Sequence, residues 1–171
     1  MTAGKNKIKI KSYKNDIILG TIEKKDIELL RKWKNDNRKY FFHKKIINAE
    51  QQIKWYDNYL KNTKDYIFLV EYKGINVGCI GFRLIDDNID IYNVILGNKE
   101  FGGRGIMSRA LKLMCSYIMD NYNKEITLKV LSKNKARSWY LKNGFEEIGE
   151  EDSYVFMKLS INKFEYLKYN L

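Results

Sequence analysis

The segment from Ile89 to Leu131 constrains the fold more than any other part of the sequence. It reads as a strand (Ile89–Leu96), a glycine-rich loop, a helix of about Gly105–Tyr122 and a second strand (Ile126–Leu131). Two strands of one sheet that are joined through a helix run parallel, and the crossover between them is right-handed. The sequence therefore predicts a sheet that contains a parallel pair.

Antiparallel strands are predicted on both sides of this pair. Runs of β-branched and aromatic residues, separated by Gly, Asn and Asp turns, are typical of a meander before the pair, and two further strands follow it. They are predicted at Ile8–Tyr13 and Ile17–Ile22 (one short strand or a strand pair), Tyr66–Tyr72, Val77–Ile85, Phe145–Glu150 and Tyr154–Leu159. The predicted fold class is α/β (α+β), with a mixed, mostly antiparallel central sheet of six to seven strands flanked by helices.

Apolar residues at helical spacing predict the flanking helices. Asn48 and Gln51 stand three residues apart at the start of one of them and resemble a capping box. The aromatic segment Asn35–Ile47 before that helix is irregular. Besides Gly105–Tyr122, helices are predicted at Lys24–Lys34, Ala49–Lys61 and Asn134–Asn143, and the chain ends in a short aromatic helix or tail at Lys163–Leu171.

Length and charge bound the class of protein. A chain of 171 residues without repeats or low-complexity linkers predicts a single domain over residues 1–171. The net charge of +11 can attract nucleic acid, an anionic membrane or a polyphosphate, but the lysines are spread along the chain, which favours a general background charge. Met1–Asp16 is polar, and no apolar run approaches about 20 residues, so we expect neither a signal peptide nor a membrane span.

The cysteines indicate the compartment. Cys79 and Cys115 are isolated, and no Cys/His cluster accompanies them, so we expect reduced core thiols and no metal site. Reduced thiols fit a cytoplasmic location.

The loop from Gly97 to Gly105 has the composition of an anion site. Gly102, Gly103 and Gly105 crowd the start of the following helix, where positive φ angles let backbone N–H groups face an anion. The helix N-terminus adds about half a positive charge, and Arg104 adds a charged fork. In physical terms this is a pyrophosphate cradle, although a simple glycine-rich turn explains the spacing equally well.

A second segment resembles a known family. Asn134–Phe145 reads N-K-A-R-S-W-Y-L-K-N-G-F and resembles the motif N-x-x-A-x-x-(aromatic or aliphatic)-Y-x-x-x-G-F of the GNAT acetyltransferase superfamily, with one residue fewer between the Asn and the Ala. It follows the expected strand at the expected distance from the glycine loop. That loop resembles the family's acetyl-CoA loop, Q/R-x-x-G-x-G/A, with Gly102 at the first position and Met107 at the last. These two departures bear on donor affinity more than on donor identity.

The N-terminal half resembles one subgroup of the family. Trp33–Asp36 matches its W-R/K-N-D stretch, and Ile47 with Glu50–Tyr56 matches the element that follows. The subgroup includes acetyltransferases that act on amino-sugar nucleotides and on ribosomal-protein N-termini. The resemblance implies a GNAT fold whose parallel strands splay to admit acetyl-CoA, and direct acetyl transfer to a primary amine.

The acceptor stays open at this point. A small molecule such as an amino-sugar nucleotide is the first candidate, and a protein N-terminus is the second. A polyamine fits poorly because no acidic cluster marks the acceptor side, whereas the basic surface favours an anionic acceptor or simply coenzyme A. A non-catalytic nucleic-acid or acyl-CoA binding module is the remaining alternative, but no basic-aromatic RNA-binding motif appears. A homodimer through the C-terminal aromatic segment is possible.

The resemblance also implies a donor site. The backbone of one strand end pairs with the pantetheine arm, amides at the helix start hold the pyrophosphate, and Asn134 bonds the arm or simply caps its helix. The predicted donor-binding residues are Val94, Ile95, Leu96, Arg104, Gly105, Ile106, Met107, Ser108, Asn134 and Arg137.

Catalytic roles follow in the same way. Tyr140 is the predicted general acid toward the leaving thiolate, and its alternative is a core aromatic. Because a tyrosine pKa of about 10 exceeds a thiol pKa of about 8.5, Tyr140 mainly donates a strong hydrogen bond. Asp90 is the predicted base, acting through a bridging water, or else a solvent-facing strand residue. The acceptor side is predicted at Trp33, Tyr40, His43 and Trp55. The Trp and Tyr rings stack on a ligand or belong to the core, and His43 is a base or an acceptor contact, or else a surface histidine.

Overall fold

The computed structural model describes residues 5–14 and 16–171. The expectation for Met1–Asp16 therefore falls partly on residues that lie outside the described ones, namely Met1–Gly4 and Asn15. The strands are β1 (Lys9–Ser12), β2 (Ile17–Thr21), β3 (Asp65–Tyr72), β4 (Ile75–Ile85), β5 (Asn88–Leu96), β6 (Glu125–Leu131), β7 (Phe145–Glu151), β8 (Tyr154–Leu159) and β9 (Tyr169–Asn170). The helices are α1 (Ile27–Asp36), α2 (Ala49–Lys61), α3 (Ile106–Asn121) and α4 (Ala136–Lys142).

The strands form one sheet in the order β7-β8-β6-β5-β4-β3-β2-β1-β9. It is mixed, with β5 and β6 parallel and the other neighbours antiparallel, which confirms the predicted fold class. The described part of the chain has nine strands rather than six or seven, because the two N-terminal segments are separate strands and Tyr169–Asn170 pairs with β1. The prediction of a C-terminal helix as one option was therefore wrong.

The parallel pair is short. Only Asn88–Asp90 of β5 pair with Glu125–Thr127 of β6. Beyond these residues β5 remains paired with β4 and β6 with β8 on their other edges, but no described residue of β5 pairs with β6, so the two strands diverge. We call the opening between Ile91–Leu96 and Leu128–Leu131 the fork.

A bulge interrupts β5 beside the fork. Cys79 of β4 pairs with Ile95, but Gly81 pairs with Tyr92, so β5 carries an extra residue. Asn93 takes a φ of +52° there, and its carbonyl accepts a hydrogen bond from the Cys79 thiol at 3.3 Å. A bulge of this kind bends the strand and re-aims the side chains that follow.

The bulge sends β5 side chains into two different cores. One core lies between the sheet and α3, and it includes Ile89 and Ile91. The other lies under α1 and α2 on the opposite face, and it includes Ile95. Three odd-numbered residues of a regular strand would share one face, so the bulge is what turns Ile95 to the other side.

The helix α1 is fixed to the end of β5 by a close contact. Trp33 is buried in the second core, and a Cβ placed on Gly97 would overlap its indole ring. The predicted capping box of α2 is confirmed, because Asn48 and Gln51 exchange hydrogen bonds of 2.8 and 2.9 Å. No helix within residues 5–14 and 16–171 combines the length and the apolar character needed to cross a membrane.

Candidate active site

The open edge of β5 provides backbone groups for a ligand. Val94–Leu96 lie beyond the last β6 pair, so their fork side has no strand partner within the described residues. Strand edges offer unpaired N–H and C=O groups to an extended chain. This edge therefore fits an extended arm such as pantetheine.

The glycine loop ends in an uncapped helix start. Gly103 and Gly105 have φ angles of +73° and +70°, the left-handed conformations that favour glycine. Gly105 is the N-cap of α3, no side chain caps this end, and the first turn has no acidic residue. The N–H groups of Ile106–Ser108 thus lack intrahelical acceptors. An anion such as pyrophosphate fits this end of the helix.

Met107 and Ser108 have defined partners at this end. The Met107 sulfur lies 3.0 Å from the position that a Cβ on Gly78 would take, so the missing side chain of Gly78 makes room for it. Ser108 Oγ accepts a hydrogen bond from Trp139 Nε1 at 2.9 Å. The bulk of Met107 is therefore packed against β4.

Arg109 is a candidate contact for the acetyl donor, and the sequence reasoning missed it. Its Nε is buried and has no hydrogen-bond partner, while its Nη1 donates to the Arg104 carbonyl at 3.3 Å. Arg104 itself is exposed, with its guanidinium 5.0 Å from the Phe101 ring centre. The spacing of four residues between Gly105 and Arg109 was the available signal, since it places both on one helix face.

Asn134 and Arg137 are engaged within the protein. Asn134 Oδ1 accepts from the Ala136 N–H at 2.9 Å, and its Nδ2 donates to the Tyr40 carbonyl at 3.4 Å. The first contact satisfies the first N–H of α4, although Lys135 and not Asn134 stands at the N-cap position. Arg137 forms a two-point ion pair with Glu147 at 2.5 and 2.9 Å. A donor role for Arg137 would require that pair to open, so it stays a prediction.

Tyr140 has a buried ring and a hydroxyl without a protein partner. It is 8% exposed, and its ring packs edge-on against Trp139 and Phe145. No hydrogen bond joins its hydroxyl to a described residue. Burial raises its pKa, and Cys115 and the Asp90 charge add to the shift. The raised pKa keeps the Tyr140 hydroxyl protonated, and the effect of the Asp90 charge shows that the ring lies near the fork.

Asp90 lies at the closed end of the fork. Its carboxylate accepts from Arg83 Nε at 2.8 Å, and its side chain is only 16% exposed. Burial raises its pKa, and the Arg83 pairing partly offsets that effect. A carboxylate in this state is protonated more readily than an exposed one, but Arg83 competes for the lone pairs that a base would use.

A cavity of about 320 Å³ opens on the opposite face of β5, between the sheet and the α1–α2 pair. His43 and Trp55, two of the residues predicted for the acceptor side, line it, and their acceptor role stays a prediction. Trp33 lies in the core beside Gly97, and Tyr40 is 42% exposed near Asn134, so neither lines the cavity. The lining residues are Leu30, Lys34, His43, Ile47, Gln51, Gln52, Trp55, Ile67, Cys79, Asn93 and Ile95.

Lys34 and Asn93 are cavity residues that the sequence reasoning missed. Lys34 Nζ donates to Asn93 Oδ1 at 3.1 Å, and burial lowers the pKa of the Lys34 amine. The signal for Lys34 was its position four residues after Leu30 on one face of α1. Asn93 gave no comparable signal, because its direction depends on the bulge.

The two thiols are poor nucleophiles. Burial raises the pKa of Cys79 to about 12 and also raises that of Cys115. A thiol attacks as its thiolate, so neither side chain suits a covalent acetyl intermediate at neutral pH. Within the described ranges, no cluster of three His, Cys, Asp or Glu side chains is placed to hold a metal ion.

A forked parallel pair, an uncapped helix start after a glycine loop and a cavity across β5 define a coenzyme A-dependent acyltransferase. The chain belongs to the GNAT acetyltransferase family, because the family model described as "Acetyltransferase (GNAT) domain" matches residues 16–146. It is an acetyl-CoA-dependent N-acetyltransferase. No protein of curated function matches the chain in sequence.

Solved structures share the fold. A nucleotide-linked sugar GNAT, FdhC, has a TM-score of 0.76 at 19% identity, covering 92% of this chain and 93% of that one. Spermidine N-acetyltransferase from Vibrio cholerae, in complex with CoA and spermine, has a TM-score of 0.71 at 21% identity, with coverages of 84% and 92%. The ribosomal-protein α-N-acetyltransferase RimL, in complex with CoA, has a TM-score of 0.71 at 17% identity, covering 88% of this chain and 96% of that one.

Proposed function

We propose that the protein transfers the acetyl group of acetyl-CoA to a primary amine of a small molecule such as an amino-sugar nucleotide. The observation that carries the proposal is that one stretch of β5 faces both sites. Val94–Leu96 border the fork, while Asn93 and Ile95 line the cavity. A donor arm along the fork and an amine in the cavity would therefore meet at the bulge.

Acetyl-CoA supplies an activated thioester when it is bound. The amides of Arg104–Ser108 hold its pyrophosphate, and the β5 edge orients its arm. A backbone N–H at the bulge stabilises the oxyanion that develops when the amine nitrogen attacks the carbonyl carbon. The carbon–sulfur bond then breaks, and the nitrogen loses a proton.

Tyr140 donates a hydrogen bond to the sulfur as negative charge develops there. Its hydroxyl makes no hydrogen bond with the described residues, which supports this role, and its raised pKa keeps the proton on the oxygen, so Tyr140 donates a hydrogen bond rather than the proton itself. Asp90 takes the amine proton through a water, and His43 in the cavity wall is the second candidate for this base. Asn134 keeps its proposed contact with the pantetheine arm.

A protein N-terminus is the second candidate acceptor. Its support is the likeness to RimL, whose name gives a protein α-amine as its acceptor.

We further propose a single domain over residues 1–171, a cytoplasmic location that fits two free buried cysteines, and a homodimer that sedimentation would test.

The test measures the release of free thiol from acetyl-CoA across a panel of amines, for the unsubstituted protein and for Tyr140→Phe. Loss of the hydroxyl is expected to lower kcat by about 100-fold, because one hydrogen bond to a developing charge contributes about that much. The Kd for CoA should change by less than about threefold, since the ring remains in place. Tyr13→Phe is the matched control, an exposed tyrosine beside β1 at the far side of the sheet. Unchanged turnover in Tyr140→Phe would remove Tyr140 from the mechanism.

A further inference from the structure

The wall of the acceptor cavity has charge of one sign. No carboxylate is among its lining residues, and Lys34 is the one Lys or Arg side chain among them. The other polar groups are the side chains of His43, Gln51, Gln52 and Asn93. A cationic ligand such as a polyamine would find no counter-charge in this wall.

Lys34 has capacity for a further hydrogen-bond acceptor. Its Nζ makes one hydrogen bond, to Asn93 Oδ1 at 3.1 Å, although an ammonium carries three donors. It forms no ion pair with a described residue, its Nζ lies 5.7 Å from the centre of the Phe41 ring, and the Asp65 charge acts on it from outside the cavity lining. Burial of a cation without a partner costs free energy, and an anionic oxygen on a ligand would offset that cost.

The position of Lys34 ties this binding capacity to the reaction. Its partner Asn93 is the bulged residue of β5, adjacent to Val94–Leu96 at the fork. A group held by Lys34 therefore lies beside the place where an acceptor amine meets the thioester. Gln52 adds a contact for a donor on the same ligand, because its Nε2 donates to the Ile27 carbonyl while its Oε1 accepts no hydrogen bond from the described residues and can accept one from an amine or hydroxyl.

We infer that the acceptor is a primary amine on a molecule that also bears a phosphate or carboxylate group, and that Lys34 binds this anionic group. The inference rests on the proposed function, and it narrows the acceptor class by charge. Amines that carry only positive charge are selected against by the same lysine. Lys34 is a specificity-determining residue in this scheme and takes no part in bond making.

The experiment compares matched acceptors in steady-state acetyl transfer. Glucosamine 6-phosphate is paired with glucosamine, and β-alanine with propylamine, so that the arms separate phosphate from carboxylate; spermidine is the cationic probe. The unsubstituted protein should favour the anionic member of at least one pair by 10-fold or more in kcat/KM. Lys34→Met should abolish that preference, and Lys34→Arg should retain part of it because it keeps the charge.

Lys32→Met is the matched control, because Lys32 is exposed on the same helix and its loss changes net charge equally. That variant should keep the preference. Equal use of both members of both pairs, a preference for spermidine, or a preference that survives Lys34→Met would overturn the inference.

Binding separates this inference from the proposed function. Each probe is titrated calorimetrically into the protein with CoA present. Tighter binding of an anionic probe that Lys34→Met removes supports the inference even where no acetyl transfer occurs, and in that case the proposed reaction fails alone. Transfer to amines without dependence on Lys34 refutes the inference and leaves the reaction intact. Absence of both binding and transfer for the anionic probes also refutes it.

Discussion

At the scale of single residues, burial favours the neutral form of several ionisable groups near the site. It raises the pKa of Tyr140 and of Cys79, and it lowers that of Lys34. Water-poor surroundings strengthen the interactions of a charge with its partners. A charged group in this site therefore interacts strongly with a charged ligand, but its burial lowers the free energy of unfolding.

Lys34→Met should stabilise the protein at neutral pH. Because the folded-state pKa lies below the ordinary value of 10.5, the unfolded state binds the Lys34 proton more readily. The burial penalty is thus complete below the folded-state pKa and disappears as pH rises past the unfolded-state value. A chain of this length gains about 2–4 °C in Tm per kcal/mol.

Thermal unfolding at pH 7 and above pH 10.5 measures this effect. The Tm advantage of Lys34→Met should shrink at the higher pH, whereas exposed Lys32→Met should change Tm little at either. A Lys34→Met protein that is less stable at pH 7 would contradict the argument, since the cavity lets water replace the lost Asn93 contact.

At the scale of elements, the contact between α1 and the end of β5 joins the two halves of the site. Trp33 lies against Gly97, directly after the strand edge that borders the fork. The helix that carries Lys34 is thereby fixed to the strand that carries Asn93. Donor and acceptor sides share this one junction.

Gly97→Ala should therefore destabilise the fold and impair acceptor use. Its methyl group would overlap the Trp33 ring, and overpacking of this kind costs about 1–3 kcal/mol. Chemical denaturation measures the loss, and KM for the acceptor should rise because α1 moves. In Gly20→Ala, a methyl in open space within β2, unfolding free energy should stay within about 1 kcal/mol. Equal stability of the two variants would show that Trp33 yields without cost.

The elements also show what a sequence can reveal. The crossover from β5 to β6 and the Asn48–Gln51 capping box follow from local patterns, and both are present. The bulge at Asn93 does not, because it arises where two strands of unequal residue count are forced into register. Lys34 was missed for the same reason: its importance depends on a partner whose direction is set by tertiary structure.

At the scale of the whole molecule, the fork divides the sheet. One part contains β1 to β5 with β9, and the other contains β6 to β8; within the sheet only three residue pairs of described residues join them, and the chain crosses between them through α3 and through residues 160–168. Because ladder bonds are missing along the rest of the fork, a ligand that fills it would add contacts between the two parts. Binding of the donor is thus linked to global stability.

Coenzyme A should raise Tm by about 5–10 °C at 100 times its Kd, which corresponds to about 2.7 kcal/mol. Scanning calorimetry over a concentration series measures the shift. Inorganic pyrophosphate at the same concentrations is the control, because a chain of net charge +11 can bind anions non-specifically. An equal shift with pyrophosphate would mean that the fork contributes nothing.

The open edge of β5 has a consequence for how such a protein diverges. The chain contains no proline, so every residue of that edge retains its amide hydrogen. A substitution on the β5 edge leaves the backbone amide at that position in place. A substitution in the cavity wall changes the surface that contacts an acceptor. A lineage can therefore exchange one acceptor for another without rebuilding the place where the donor is held.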